Sequence, residues 1–490
     1  MRRNLLFYIG VLVIFGAGIY FMLDMGARLR PRGDVSGKQI EYTDSRVSRP
    51  NPGTPVNDVI RSWSSSLREP LSILLLQVLV ILIAARLVGA FFLKIGQPAV
   101  IGEMVAGIIF GPSLLGMISP GVQAFLFPAS SLDFLKLLSQ IGVIVFMFVV
   151  GMDLNVRYLR QKAHAAVLVS HASIIVPFFL GITLALLIYP SLAPAHISFT
   201  AFALFIGVAM SITAFPVLAR IIEERRLGKT YLGSTAIACA AVDDVTAWCI
   251  LAMVVAIAKA EGLGSSLMTI LLTLLFLGVM LFLIKPQTER LLAKKFQRGT
   301  TSKGVVALVL VIVFTSALFT EVIGIHALFG AFVAGVVMPS HKGLRHFLRE
   351  RLEAFSASFL LPLFFAFTGL RTQIGLLDDW QSWLMCVAVI GIAITGKLGG
   401  SMMAARWTGM TWQESLSLGA LMNTRGLIEL VVLNLGYDLG ILPPKIFGMM
   451  VLMALTTTFM TGPMLSLVQF WGRRSYETES WRNQFAVGNR

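Results

Sequence analysis

Apolar runs of about twenty residues recur along this chain, and nothing limits its fold more than they do. A helix rises 1.5 Å per residue, so about twenty residues cross a hydrocarbon layer of about 30 Å. A helix also satisfies its own backbone polar groups within one run, as lipid requires. From Leu71 onward the runs fall at 71–93, 98–117, 132–151, 163–188, 197–221, 230–258, 264–284, 303–320, 324–338, 356–370, 381–403, 413–435 and 446–470. Only 13% of residues are charged and mean hydropathy is +0.81; a soluble chain would carry about a quarter charged residues. The expectation is an all-α polytopic membrane protein with thirteen core spans and no second soluble domain.

A net charge of +15 invites a nucleic-acid reading, which fails on distribution. The basic residues form no single patch or recognition motif. They gather in the loops after the odd-numbered spans and in the tail, whereas the alternate loops hold only Lys259, Arg371 and Lys445. That alternation is the positive-inside pattern, and it puts the tail in the cytoplasm. Residues 1–23 carry a further apolar segment behind Met1-Arg2-Arg3, a signal anchor or a cleaved signal peptide. Residues 24–68 read as an external polar linker, 69–472 as the membrane domain and 473–490 as a cytoplasmic tail. The linker's eight Lys/Arg run against the charge rule. Cys239, Cys249 and Cys386 lie singly in apolar runs, with no metal or disulfide spacing.

A repeat is visible. Gly102-Glu-Met-Val-Ala-Gly-Ile-Ile in the second span returns as Gly330-Ala-Phe-Val-Ala-Gly-Val-Val in the ninth. Phe148-Val-Val-Gly151-Met closes the third span as Phe367-Thr-Gly369-Leu closes the tenth. Seven spans separate each pair, an odd number, so the copies (about 71–258 and 303–470, linked by 264–284) face opposite ways. Inverted repeats of this kind meet at a midplane substrate site in transporters. The pattern pairs the fourth span with the eleventh, the fifth with the twelfth and the sixth with the thirteenth.

Polar residues inside these spans mark the chemistry. Asp243 and Asp244 sit together in the sixth span, and charge at bilayer depth usually faces a partner or a watered cavity. A soluble core helix with a salt-bridged aspartate pair is excluded by the rest of the chain. About 100° separates the two side chains around a helix, so they face different neighbours. In the fifth span, Pro216 lacks an N–H and clashes with the carbonyl of Ile212, so the helix should kink or open there, with the Thr213 hydroxyl at the same level. The twelfth span has its own weak point at Asn423-Thr424-Arg425-Gly426. Lys397, among glycines in the eleventh span, wants a carboxylate, although it could also reach the cytoplasmic interface. Arg425 and Glu429 are spaced i, i+4 and could satisfy each other as readily as contact an ion. Glu103 is a candidate vestibule group near the cytoplasmic end of the second span, and His171 and His326 read as satisfied core groups.

Membrane aspartyl proteases also carry two intramembrane aspartates, but on separate helices and with a GxGD setting that is missing here. There is no HExxH or GxSxG motif either, so no enzyme is expected. A cation channel, or a gated potassium efflux protein without obligatory proton exchange, is the alternative. It would normally need a carbonyl-lined filter or a ring of charges, and neither shows.

Taken together, Gly102-Glu-Met-Val-Ala-Gly-Ile-Ile-Phe-Gly-Pro-Ser, Ser211-Ile-Thr-Ala-Phe-Pro-Val-Leu-Ala-Arg, Val242-Asp-Asp and Asn423-Thr-Arg-Gly-Leu-Ile-Glu-Leu resemble the monovalent cation:proton antiporter-2 superfamily over about 71–470. That superfamily includes bacterial sodium/proton exchangers and plant cation/proton exchangers. The resemblance implies the inverted-repeat antiporter fold, with a moving core, a dimerisation domain and two crossed, unwound helices, the fifth and twelfth spans here. It implies exchange of Na⁺ or K⁺ for H⁺ by a homodimer in the bilayer of a bacterial cell membrane, with no cofactor and no nucleic acid. The ion-binding aspartates map onto Asp243 and Asp244, the unwound-helix threonine onto Thr213 and the core lysine onto Lys397. Proton and cation would compete for the carboxylates, with Asp244 the principal ligand and Asp243 the partner of Lys397 in one state. The amino-terminal segment and linker lie outside the resemblance.

Overall fold

Glycine marks several of the helix ends of this membrane protein, among them Gly96, Gly111, Gly324, Gly409 and Gly440. The computed structural model describes residues 2–29, 69–153, 163–228, 230–259, 263–297, 302–339 and 341–487. Most of the 24–68 linker lies outside these. Helix α1 is Arg2–Gly26, followed after the linker by α2 (Pro70–Lys94), α3 (Ala99–Phe110), α4 (Ala129–Asp153) and α5 (Ala163–Leu192). Then come α6 (Phe199–Ser211), α7 (Phe215–Glu224), α8 (Tyr231–Lys259), α9 (Leu263–Gly278), α10 (Ser302–Ile323) and α11 (Ala327–Val336). The chain closes with α12 (Lys342–Phe355), α13 (Leu361–Arg371), α14 (Trp380–Trp407), α15 (Trp412–Met422), α16 (Leu427–Asp438) and α17 (Pro444–Val487). The described residues contain helices and no strands.

Eleven helical segments among the described residues are long and apolar enough to cross a membrane, one being that of α1. Ten coincide with expected spans. The fifth and twelfth expected spans are each broken into two helices, and the ninth, α11, has only ten residues. Four boundaries differ from expectation by more than five residues. The helix of the second span ends at Phe110, where Gly111 turns extended (φ −76°, ψ −175°) ahead of Pro112. The seventh span does not stop at 284, because α9 runs on through a π-helical turn (Val279–Ile284) into a further helical stretch that ends at Gln297. The tenth span is the end of a longer rod, because α12 runs through a π-helical turn at Ser356–Leu360 into α13. Finally, α17 stays helical to Val487, through most of the expected tail.

The helices assort into two groups. Helices α2, α3 and α4 pack with α10, α11 and α13, while α5–α8 pack with α14–α17. In the first group the repeat glycines do reciprocal work. A Cβ on Gly107 of α3 would strike the carbonyl of Ala366 on α13, and one on Gly369 would strike that of Met104 on α3. Across the other pair, a Cβ on Gly335 of α11 would strike the Phe148 carbonyl on α4, and one on Gly151 that of Phe332 on α11. Each target lies three residues before the opposing glycine, in both pairs. Backbones this close gain dispersion contacts that larger residues would forbid.

Helix α1 lies along α5 and α6. The Thr183 hydroxyl donates to the Met22 sulfur at 3.1 Å, and Phe15 meets Phe179 edge to face at 5.1 Å.

Candidate functional site

The two broken helices meet each other at their breaks. Residues Ile212–Ala214 separate α6 from α7, and Asn423–Gly426 separate α15 from α16. Pro216 sits in the first turn of α7, where its missing N–H costs nothing, so the opening falls one turn before the proline. The freed groups find partners across the crossing. The Ala214 amide donates to the Thr424 carbonyl at 3.0 Å, and the Thr213 hydroxyl oxygen lies 3.3 Å from the Met422 carbonyl. Gly426 permits the approach, since a Cβ there would lie 2.8 Å from Cγ2 of Val217. Thr458 of α17 holds the second break: it accepts from the Arg425 amide at 3.3 Å and donates to the Arg425 carbonyl at 2.8 Å.

Cations occupy the negative end of α6, where the last carbonyls of a helix lack partners. Arg425 donates to the carbonyls of Ala209 (2.9 Å) and Met210 (2.6 Å), and Lys397 donates to that of Ser211. Arg425 also lies 3.1 Å from Glu429, both fully buried, so the i, i+4 pair forms and the arginine caps a helix besides. Lys397 is fully buried rather than reaching the interface.

Asp243 is saturated. Its Oδ1 accepts from Ser170 at 2.5 Å, and its Oδ2 accepts from Thr213 at 2.6 Å, Lys397 at 3.0 Å and Ser173 at 3.1 Å. Lys397 spends its third N–H on the Ser173 carbonyl at 3.0 Å. Asp244 is the opposite case. It is equally buried, at 1% exposure, and the Phe215 amide at the start of α7 donates to it. Its Oδ1 has no hydrogen-bond partner. A buried carboxylate oxygen without a donor is costly unless it takes a proton or a cation.

The crossing therefore brings together Asp243, Asp244, Ile212, Thr213, Pro216, Lys397, Asn423, Thr424, Arg425 and Glu429. The side chain of Asn423 is fully buried with both amide atoms unpartnered. Glu103 stands apart, half-buried on α3 in the other group. Sequence reasoning missed Ser170, Ser173 and Thr458. The signal for the serines was their i, i+3 spacing on an apolar helix; for Thr458 it was the run Thr456-Thr457-Thr458 with Thr461.

The transmembrane profile of the sodium/hydrogen exchangers matches residues 78–471, most of the chain. This chain belongs to the sodium/hydrogen exchanger family. Among the relatives of this exchanger is the Na⁺/H⁺ antiporter NhaS4 of Synechocystis sp., 44% identical over 396 residues, which are 81% of this chain and 97% of that protein. Cation/H⁺ antiporter 17 of Arabidopsis thaliana is 39% identical, over 86% of this chain and 51% of its own. K⁺/H⁺ antiporter 1 of Saccharomyces cerevisiae is 36% identical, over 82% of this chain and 47% of its own. The chain thus spans nearly all of the cyanobacterial relative and about half of the plant and yeast ones. The exchanger also shares its fold with the sodium proton antiporter MjNhaP1 from Methanocaldococcus jannaschii, at a TM-score of 0.55 and 13% identity over 80% of this chain and 97% of that one.

Proposed function

We propose that this exchanger swaps a monovalent cation, Na⁺ or K⁺, for protons across the membrane by alternating access of the crossing around Asp243 and Asp244. The observation that carries the reading is the inequality of the two aspartates: one with four donors, the other with a bare buried oxygen. Asp244 is the group that takes cation or proton in turn, and the two compete for it. Thr213 and the opened backbone at Ile212 add hard oxygens, the kind such ions prefer. A cation arriving beside Asp243 would weaken its hold on Lys397, which keeps two carbonyl partners when it lets go. Arg425 serves this site by capping α6, with Glu429 beside it as its counter-charge.

The family names of the relatives support cation:proton exchange and leave the choice of ion open, since they include both Na⁺ and K⁺ antiporters. We place the protein in a bacterial cell membrane with its carboxy terminus in the cytoplasm, on the loop charges and the cyanobacterial relative. A homodimer rests on the family resemblance. The packing of α1 on α5 and α6 supports a retained anchor over a cleaved signal, and an amino-terminal tag should stay on the purified protein.

The test is a proteoliposome assay of luminal pH with Na⁺, K⁺ and Li⁺ added in turn. Cation-dependent proton movement is expected with at least one of them. Cation current without proton counterflow would favour a channel and defeat the reading.

A further inference from the structure

Beside Lys397 and Thr213, Asp243 is held by two serines of α5 that belong to neither broken helix. Ser170 and Ser173 are fully buried and one turn apart, so they stand on one face of α5. Helix α5 packs against α8, which carries Asp243, and against α14, which carries Lys397. Ser170 supplies the hydrogen bond to Oδ1 at 2.5 Å, on the side of the carboxylate away from the lysine's oxygen. Ser173 adds one at 3.1 Å to Oδ2, the oxygen Lys397 binds, and accepts from Lys397 through its own carbonyl.

Hydroxyls that donate to a carboxylate make charge-assisted bonds, the strong class. If Lys397 lets go, Asp243 is left with three hydroxyl donors instead of four partners, and both of its oxygens are still hydrogen-bonded. We infer that Ser170 and Ser173 are positioning residues that stand in for Lys397 at Asp243, and so set how readily a cation displaces the lysine. The inference rests on the exchanger reading. Without one hydroxyl, Asp243 depends more on Lys397, the lysine is harder to displace, and the cation binds more weakly.

The experiment measures cation-dependent proton flux in proteoliposomes for wild type, Ser170→Ala, Ser170→Thr and Ser173→Ala, with Na⁺ and K⁺ as probes. Ser170→Ala should raise the KM for the transported cation about tenfold, with kcat changed less. Ser170→Thr, which keeps the hydroxyl, should restore KM to near the wild-type value. Ser173→Ala removes a different hydroxyl from the same carboxylate and carries the test should Ser170→Ala fail to accumulate. Wild-type KM in both alanine variants would overturn the inference, as would a loss of folded protein with KM unchanged in what remains. Absence of exchange in wild type with either cation would instead count against the exchanger reading itself.

Discussion

Lys397 Nζ lies 3.0 Å from Oδ2 of Asp243 with both side chains fully buried. Removing one member of a buried pair strands the other charge, at a cost of about 3–5 kcal/mol, whereas replacing both is far milder. Lys397→Ala should therefore lower thermal stability in detergent more than the double change Asp243→Asn with Lys397→Ala. Additive melting shifts in the double variant would show that the pair is not coupled.

Asp244 makes fewer internal bonds than its neighbour, so its role and its structural weight should come apart. Asp244→Asn should abolish cation-dependent proton flux while leaving the melting temperature equal to wild type or higher, since a buried charge with an unpartnered oxygen is removed. Asp243→Asn should lose stability, because it weakens four bonds. Equal melting shifts for the two would contradict the asymmetry.

How much of this was legible follows from where each signal lies. Pro216 announces its break because its amide carries no hydrogen, and Lys397 and the aspartates stand out because charge is rare in lipid. The second break has no proline. It could be read only through the repeat, and what holds it open, Thr458, lies one span further on. The i, i+3 spacing of Ser170 and Ser173 is a weak signal, because a serine in a membrane helix often bonds to its own backbone, so its identity does not say whether it faces a site. Boundaries failed where hydropathy is a poor guide. The polar face of α12 hid the continuity of that helix into α13, and Gly111-Pro112 stopped α3 while the sequence beyond stayed apolar.

The reciprocal glycines give a paired prediction. In Gly107→Ala and Gly335→Ala the new methyl meets a backbone carbonyl, which cannot rotate aside. Each should destabilise by about 1–3 kcal/mol, as overpacked cores do, and by similar amounts. Gly391 on α14 is exposed and has nothing within 4 Å of a Cβ, so Gly391→Ala should stabilise by a few tenths to about 1 kcal/mol through helix propensity. Thermal unfolding of the three variants decides it; a strongly destabilised Gly391→Ala would break the argument.

Asp379 precedes α14 in the loop between α13 and α14. The hydroxyl of Ser382, and after it Lys445, hold its carboxyl below the usual carboxylate range. A depressed value in the folded state means that this contribution is present above the ordinary carboxylate pKa and fades as pH falls through the lowered one. Hydrogen exchange at the first turn of α14 should stay constant from neutral pH down to about 4 once corrected for intrinsic rates, and rise below that. In Ser382→Ala the rise should begin at higher pH.

Asp438 ties the two helix groups together. At the end of α16 it accepts from Arg371 of α13 and lies 3.1 Å from Lys136 of α4. Arg371 also donates to Asn434 of α16 at 3.0 Å and lies over the Tyr437 ring at 4.3 Å. These groups are partly open to solvent, so the ion pairs are worth little each, and salt should screen them. Asp438→Asn should cost about 1 kcal/mol at low ionic strength, and the difference from wild type should shrink in 0.5 M salt, roughly in line with a Debye length of about 4 Å. Arg371→Ala should cost more and respond less to salt, because it also loses the Asn434 bond and the aromatic contact, which salt does not reach. If both variants showed the same salt response, the arginine would be acting through charge alone and its ring contact would carry no weight.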